Sequence, residues 1–167
     1  MQTAYYVILL SGTLIFTCLI PLTVVYILYK QKRIEDIRIE NRSERNLPYL
    51  YGIASTAVWC FFLWYVLKMP HCIIMMACGA TIALILVAIM NYWWKISAHL
   101  SCMGALIGSV AGFSWYTGHF NLWLLPTLCF VALLLMYARL YLKAHTPMQI
   151  VCGFLLGLII TFSASLI

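Results

Sequence analysis

From Tyr49 to Ile167 the chain meets only four charged side chains: Lys68, Lys95, Arg139 and Lys143. A soluble domain cannot be closed over such a stretch, because its outside has to be covered with polar groups, and ordinary chains carry about 25% charged residues. Here 8% of all residues are charged and 65% are hydrophobic, with a mean hydropathy of +1.00. Lipid is the solvent that tolerates this surface, and in lipid each spanning segment has to satisfy its own backbone hydrogen bonds. The expected fold class is therefore all-α: a polytopic membrane protein built as a six-transmembrane-helix bundle.

Six apolar runs, at about 4–29, 49–68, 71–91, 96–116, 119–141 and 147–167, each come near the ~20 residues that cross a bilayer. The breaks fall at the charged stretch 30–48, at Met69-Pro70-His71, between Asn91 and Lys95, at Tyr116-Thr117-Gly118, and between Lys143 and Thr146. Tyr and Trp gather near the run ends, as an interfacial aromatic belt would. The first run has no basic segment ahead of it and exceeds the ~7–15 apolar residues of a signal peptide, so it reads as a retained helix. We expect it (1–29) to be peripheral to a core made of the basic loop and five further helices (30–167).

Six spans put the first, third and fifth connections on one membrane face. The first holds Lys30, Lys32, Arg33, Arg38, Arg42 and Arg45, together with all four acids, Glu35, Asp36, Glu40 and Glu44. The third holds Lys95, and Arg139 and Lys143 flank the fifth. Nine of the ten basic residues thus share a face, with Lys68 alone opposite. Because the spans were drawn from apolar runs alone, this segregation tests them independently. The net charge of +6 lies in short segments between apolar runs, so nucleic acid is not the expected partner. A lipid head group or phosphate is.

Gly104, Gly108 and Gly112 recur at four-residue spacing in the fourth run, and Gly153 and Gly157 in the sixth. Small residues at this spacing let helix backbones approach closely in lipid, so the fourth and sixth helices are expected at the centre. The seven cysteines form no C-x-x-C pair and read as small apolar packing residues, not as a disulfide, zinc or redox framework. No cofactor and no metal are implied. His71 and His119 lie on the face away from the charges and read as interfacial polar residues.

Three clusters on the charged face carry the chemistry. The first runs from Arg38 to Arg45, the second is Lys95-Ile96-Ser97-Ala98-His99, and the third runs from Arg139 through Tyr141, Lys143 and His145 to Gln149. Each has a plain structural reading. Loop cations pair with neighbouring acids or with head groups, and Thr146-Pro147-Met148-Gln149 has the form of a helix-capping box. Taken together they define a phosphate site. Two helix starts aim free backbone N–H groups at one face, guanidinium groups match phosphate oxygens in pairs, and two histidines supply a nucleophile and a proton donor.

The order Arg38-x6-Arg45, Ser97-x-His99 and Arg139-x5-His145-x3-Gln149 resembles the type 2 phosphatidic acid phosphatase superfamily. The motifs of that family are K-x6-R-P, P-S-G-H and S-R-x5-H-x3-D. The resemblance covers about residues 30–167, and its third motif is the most specific. It implies that His145 attacks phosphorus to form a phosphohistidine, and that His99 protonates the leaving oxygen and then activates water. Arg38, Arg45, Arg139, Ser97 and the backbone N–H near Ala98 would hold the phosphate oxygens, with Lys95, Lys143 and Tyr141 as accessory contacts.

The chain departs from the pattern in several places. Arg38 stands for Lys, and Pro48 lies three residues after Arg45. Ile96 and Ala98 stand for Pro and Gly, Ala138 stands for Ser, and Gln149 stands for the Asp that orients the nucleophile. An amide oxygen still accepts the Nδ1–H bond but cannot neutralise an imidazolium. Losing such a partner costs on the order of 10²–10⁴ in rate in comparable sites.

The expected function is metal-independent hydrolysis of a lipid phosphomonoester or diphosphate. The rival is a lipid-binding or transport protein that uses the same basic pocket without cleaving a bond. The positive-inside rule alone would put the charged face in the cytoplasm. Enzymes of the resembled family usually work on the outer face, and the resemblance assigns several of these cations to phosphate binding, so the expected site is periplasmic, in a bacterial inner membrane.

Overall fold

The computed structural model describes the backbone of residues 2–36, 39 and 41–167, with side chains from Tyr5 onward. Arg38 lies outside the described residues. All regular structure among them is helical: α1 (Gln2–Leu14), a π-turn (Ile15–Leu19), α2 (Ile20–Lys30), a 3₁₀ turn (Ser43–Arg45), α3 (Asn46–Tyr65), α4 (His71–Asn91), α5 (Ala98–Thr117), α6 (Leu124–Tyr141) and α7 (Pro147–Ser165). The chain is an all-α membrane protein that divides into two compact units, Met1–Lys68 and Met69–Ile167.

Among the described residues five helical stretches are long and apolar enough to cross a membrane: Tyr5–Lys30, Ser43–Tyr65, α4, α6 and α7. The remaining expected span, α5, is as long at 20 residues but poorer in large apolar side chains. Its glycines and serines are packing residues, and packing sets its composition more than lipid does.

In the first unit α1 and α2 form one rod interrupted by the π-turn. Pro21 has no N–H to give and would crowd the carbonyl four residues back. The strain is taken up one step earlier, where the Ile20 N–H bonds to the Ile15 carbonyl in place of that of Phe16. The Phe16 carbonyl would then be orphaned in an apolar setting, which is costly. Ser55 of α3 answers it with an O–H bond of 2.6 Å. Trp59 stacks on Phe16 with ring centroids 5.3 Å apart, and its ring lies where a Cβ on Gly12 would go. The Tyr5 hydroxyl donates to the Leu67 carbonyl, so the rod and α3 run antiparallel. Leu28 is the only buried side chain from Tyr5 to Lys30.

Ser55→Ala should leave the Phe16 carbonyl unsatisfied. The expected cost is about 1–2 kcal/mol, read as a lower unfolding temperature in detergent. An unchanged midpoint would show that the π-turn needs no support from α3.

The second unit is built on α5 and α7, which lie parallel and in contact along most of their length. Three side chain to main chain bonds stitch them or tighten their contact. Ser101 donates to the Gly153 carbonyl (2.9 Å), and Thr161 donates to the carbonyls of Ala105 (2.8 Å) and Gly157 (2.9 Å). A Cβ at Gly157 would fall on the Ser101 carbonyl, and one at Gly104 on that of Phe154. This is the central packing of the fourth and sixth spans that the glycine spacing announced. α4 lies against α7, with Gly79 facing Ala164.

α6 begins at Leu124, not near residue 119. Gly118 turns the chain at φ +70° after α5, and the Asn121 side-chain oxygen then accepts from the N–H groups of Trp123 (3.0 Å) and Leu124 (3.2 Å). That Asn-mediated turn starts the helix late.

Candidate active site

The loop 92–97 and the connection 142–146 meet at the shared starting end of α5 and α7. Two hydrogen bonds join them there: the Ser97 N–H donates to the Gln149 main-chain carbonyl at 3.2 Å, and His145 Nδ1 lies 3.3 Å from the Lys95 carbonyl. Each strand of this junction is shaped locally. Beyond Asn91 the N–H groups of Trp93 and Trp94 fold back on the Met90 carbonyl, and that of Ile96 on Trp94 at 2.8 Å. Ser97 then goes extended (φ −84°, ψ 100°) and α5 begins.

Across the junction, α7 opens with the capping box that its sequence shows. The Gln149 N–H donates to Thr146 Oγ1 at 3.4 Å, the Thr146 N–H donates to Gln149 Oε1 at 3.1 Å, and Pro147 occupies the first turn.

His145 is the residue just ahead of that cap and is 9% exposed. Its Nδ1 also lies 3.3 Å from Gln149 Oε1. A main-chain carbonyl has no proton to give, so Nδ1 is the donor, and in the neutral ring the lone pair is on Nε2. Gln149 therefore does two things. Its oxygen caps α7 and faces the imidazole, the place where the resembled family has an Asp.

Ser97 is 0% exposed, and its hydroxyl does not cap α5. Among the described residues its Oγ has no hydrogen-bond partner. A buried O–H left without an acceptor costs about 1–3 kcal/mol. Ala98 is half-buried as the first residue of α5, and His99 is exposed one position on, two residues from Ser97. The start of α5 adds the positive end of a helix dipole.

Arg139 is half-buried in the last turn of α6, and its carbonyl accepts the Ala144 N–H at 3.1 Å. Lys95 is half-buried and Lys143 is exposed, the latter with φ +51° where it closes the helix end. Tyr141 is 75% exposed and stacks on Tyr137. Among the described residues no three His, Cys, Asp or Glu side chains gather as metal ligands, and no disulfide joins any of the seven cysteines.

Arg45 belongs to the first unit. There its Nε donates to the Ile39 carbonyl at 2.9 Å, while Glu44 accepts from the Glu35 N–H (3.0 Å) and from Asn41 (3.3 Å). Part of its donor set is thus used to hold the loop. His71 opens α4, whose 21 residues span about 31 Å at ~1.5 Å per residue, and so stands far from the junction. His119 lies in the turn after α5 and its N–H donates to Thr117 Oγ1 at 3.4 Å.

The sequence singles out His145, Gln149 and Ser97, and the structure brings them to one junction with the Lys95 and Gln149 main-chain carbonyls, which the sequence does not reveal. Main-chain atoms leave no residue-type signal. Comparison of the chain with protein-family models, with curated proteins and with solved structures returned no match.

Proposed function

We propose that the chain is a membrane-embedded phosphatase that removes phosphate from a lipid phosphomonoester or diphosphate through a phosphohistidine intermediate. The observation that carries this reading is the anchoring of His145 through Nδ1. It turns the other ring nitrogen into a nucleophile with a set direction, which a merely structural histidine does not need.

His145 Nε2 attacks phosphorus, an N–P bond forms, and the bond to the leaving oxygen breaks. His99 gives that oxygen its proton. His99 then takes a proton from water, the water oxygen attacks phosphorus, and inorganic phosphate departs with the imidazole restored. Ser97 Oγ, the N–H near Ala98 and Arg139 hold the non-bridging oxygens, where charge collects. Lys95 and Lys143 supply nearby positive charge. The resemblance in the three motifs supports the same roles.

We take the substrate to be a lipid because α7, whose start forms one side of the junction, is long and apolar enough to cross a membrane, and a site at its end would lie at the bilayer surface. We place the protein in a bacterial inner membrane with the site on the periplasmic side, and labelling of introduced cysteines in whole cells tests that placement. The decisive assay is release of inorganic phosphate by the purified protein in detergent, without added metal. The panel is a polyprenyl diphosphate, phosphatidic acid, phosphatidylglycerol phosphate and a lipid A phosphate. Release from at least one is expected. Binding of all four without release would leave a phospholipid-binding or transport protein in its place.

A further inference from the structure

We propose that the main-chain carbonyl of Lys95 is a second anchor for the His145 ring, equal to Gln149, so that the loop ahead of α5 helps to set the tautomer of this histidine; its catalytic meaning rests on the phosphatase reading above. The two acceptors stand at the same distance from Nδ1, 3.3 Å each. They differ in what else they do. Gln149 Oε1 also receives the Thr146 N–H at 3.1 Å, so its lone pairs are divided between the ring and the helix cap. That second donor also identifies the atom facing the ring as oxygen and not the amide nitrogen.

The Lys95 carbonyl is placed by main chain that cannot swing away. The Ile96 N–H is turned onto Trp94 at 2.8 Å, the Ser97 N–H is bonded to α7 at 3.2 Å, and Ile96 and Ser97 are both 0% exposed. A carbonyl fixed in this way holds the ring whatever the residue at 149 does. Both of these acceptors are neutral, a main-chain carbonyl and a side-chain amide oxygen. Lys95 acts here as a positioning residue through its backbone, not through its ammonium.

The test uses the full-length protein labelled with ¹⁵N-histidine in detergent micelles. Long-range ¹H–¹⁵N spectra report which ring nitrogen carries the proton, and the His145 signals are assigned by their loss in His145→Asn. The unsubstituted protein should show a neutral ring with Nδ1 protonated, against the preference of free imidazole side chains for Nε2–H. Gln149→Leu should keep that tautomer.

Exchanging Ile96 for its α-hydroxy acid turns the 95–96 amide into an ester, whose carbonyl is a weaker acceptor. In the Gln149→Leu background this exchange should return the ring to the free-side-chain mixture. Phosphate release should then fall by about 10²-fold or more, as when a catalytic histidine loses its tautomer. An Nε2–H ring in the unsubstituted protein overturns the proposal without recourse to any variant. Loss of the tautomer in Gln149→Leu alone also overturns it, as does full release by the doubly altered protein. Should the anchored tautomer appear in a protein that hydrolyses no lipid phosphate, the anchor stands and the phosphatase reading falls.

Discussion

A His145→Ala variant is expected to release no phosphate from any lipid phosphate that the unsubstituted protein hydrolyses, a loss of at least ~10⁴-fold, as for other removed nucleophiles. The size follows from the proposed role. Without the imidazole no N–P bond forms, and bulk water has to attack directly. His71→Ala is the matched control, because that histidine opens α4 and is exposed at the far end of the helix. Its activity should be unchanged.

His99→Asn should behave differently from both. Attack by His145 survives with a poorly protonated leaving group, and hydrolysis of the phosphoenzyme loses its base. A phosphorylated protein should therefore accumulate that is stable to alkali and cleaved by acid, as a phosphohistidine is. Equal phosphate release by the His145 and His71 variants would remove the enzyme from consideration and leave the membrane fold alone.

What the sequence disclosed and what it withheld follow from different kinds of force. Lipid imposes long apolar runs, so most of the spans were readable to within a few residues. The start of α6 was not, because 119–123 is apolar enough for a helix while Asn121 and Gly118 set a turn that only backbone geometry reveals. The π-turn hides for a related reason. Pro21 hints at it, but the partner that makes it tolerable is Ser55, 39 positions from Phe16 along the chain.

The same division runs through the site. Thr146 and Gln149 announced the cap through local rules of helix initiation, and the four-residue spacing of His145 and Gln149 lets the amide oxygen face the ring. Arg45 was read for its charge, whereas its Nε is occupied with Ile39 inside its own loop. Lys95 was singled out for its side chain, yet the atom that reaches His145 is its carbonyl. Sequence patterns report side-chain chemistry, and a function carried by main chain has to be seen in place.

Gly157→Val should be the most damaging substitution away from the chemistry. The glycine meets the Ser101 carbonyl and the Ala105 N–H of α5, and these are backbone atoms that cannot rotate aside. In lipid no hydrophobic effect pulls helices together, so close backbone contact is a main source of their association. A Cβ at this position forces α5 and α7 apart along their length, and the bonds from Ser101 to Gly153 and from Thr161 to Ala105 stretch with them. Overpacking in a tight core costs about 1–3 kcal/mol and occasionally more, and the upper end is expected here. At ~2–4 °C per kcal/mol for a chain of this size, the unfolding midpoint should drop by roughly 10 °C.

The consequence reaches the site, because the same helix pair sets the register in which Lys95 meets His145. Phosphate release should fall even below the new midpoint, with the Nδ1–H signal of His145 weakened. Gly118→Ala gives the contrast. Nothing lies within 4 Å of its added methyl, so only the cost of its φ of +70° remains, about 1 kcal/mol, with activity preserved. If Gly157→Val unfolds at the same temperature as Gly118→Ala, the close approach of α5 and α7 is not what holds the second unit together.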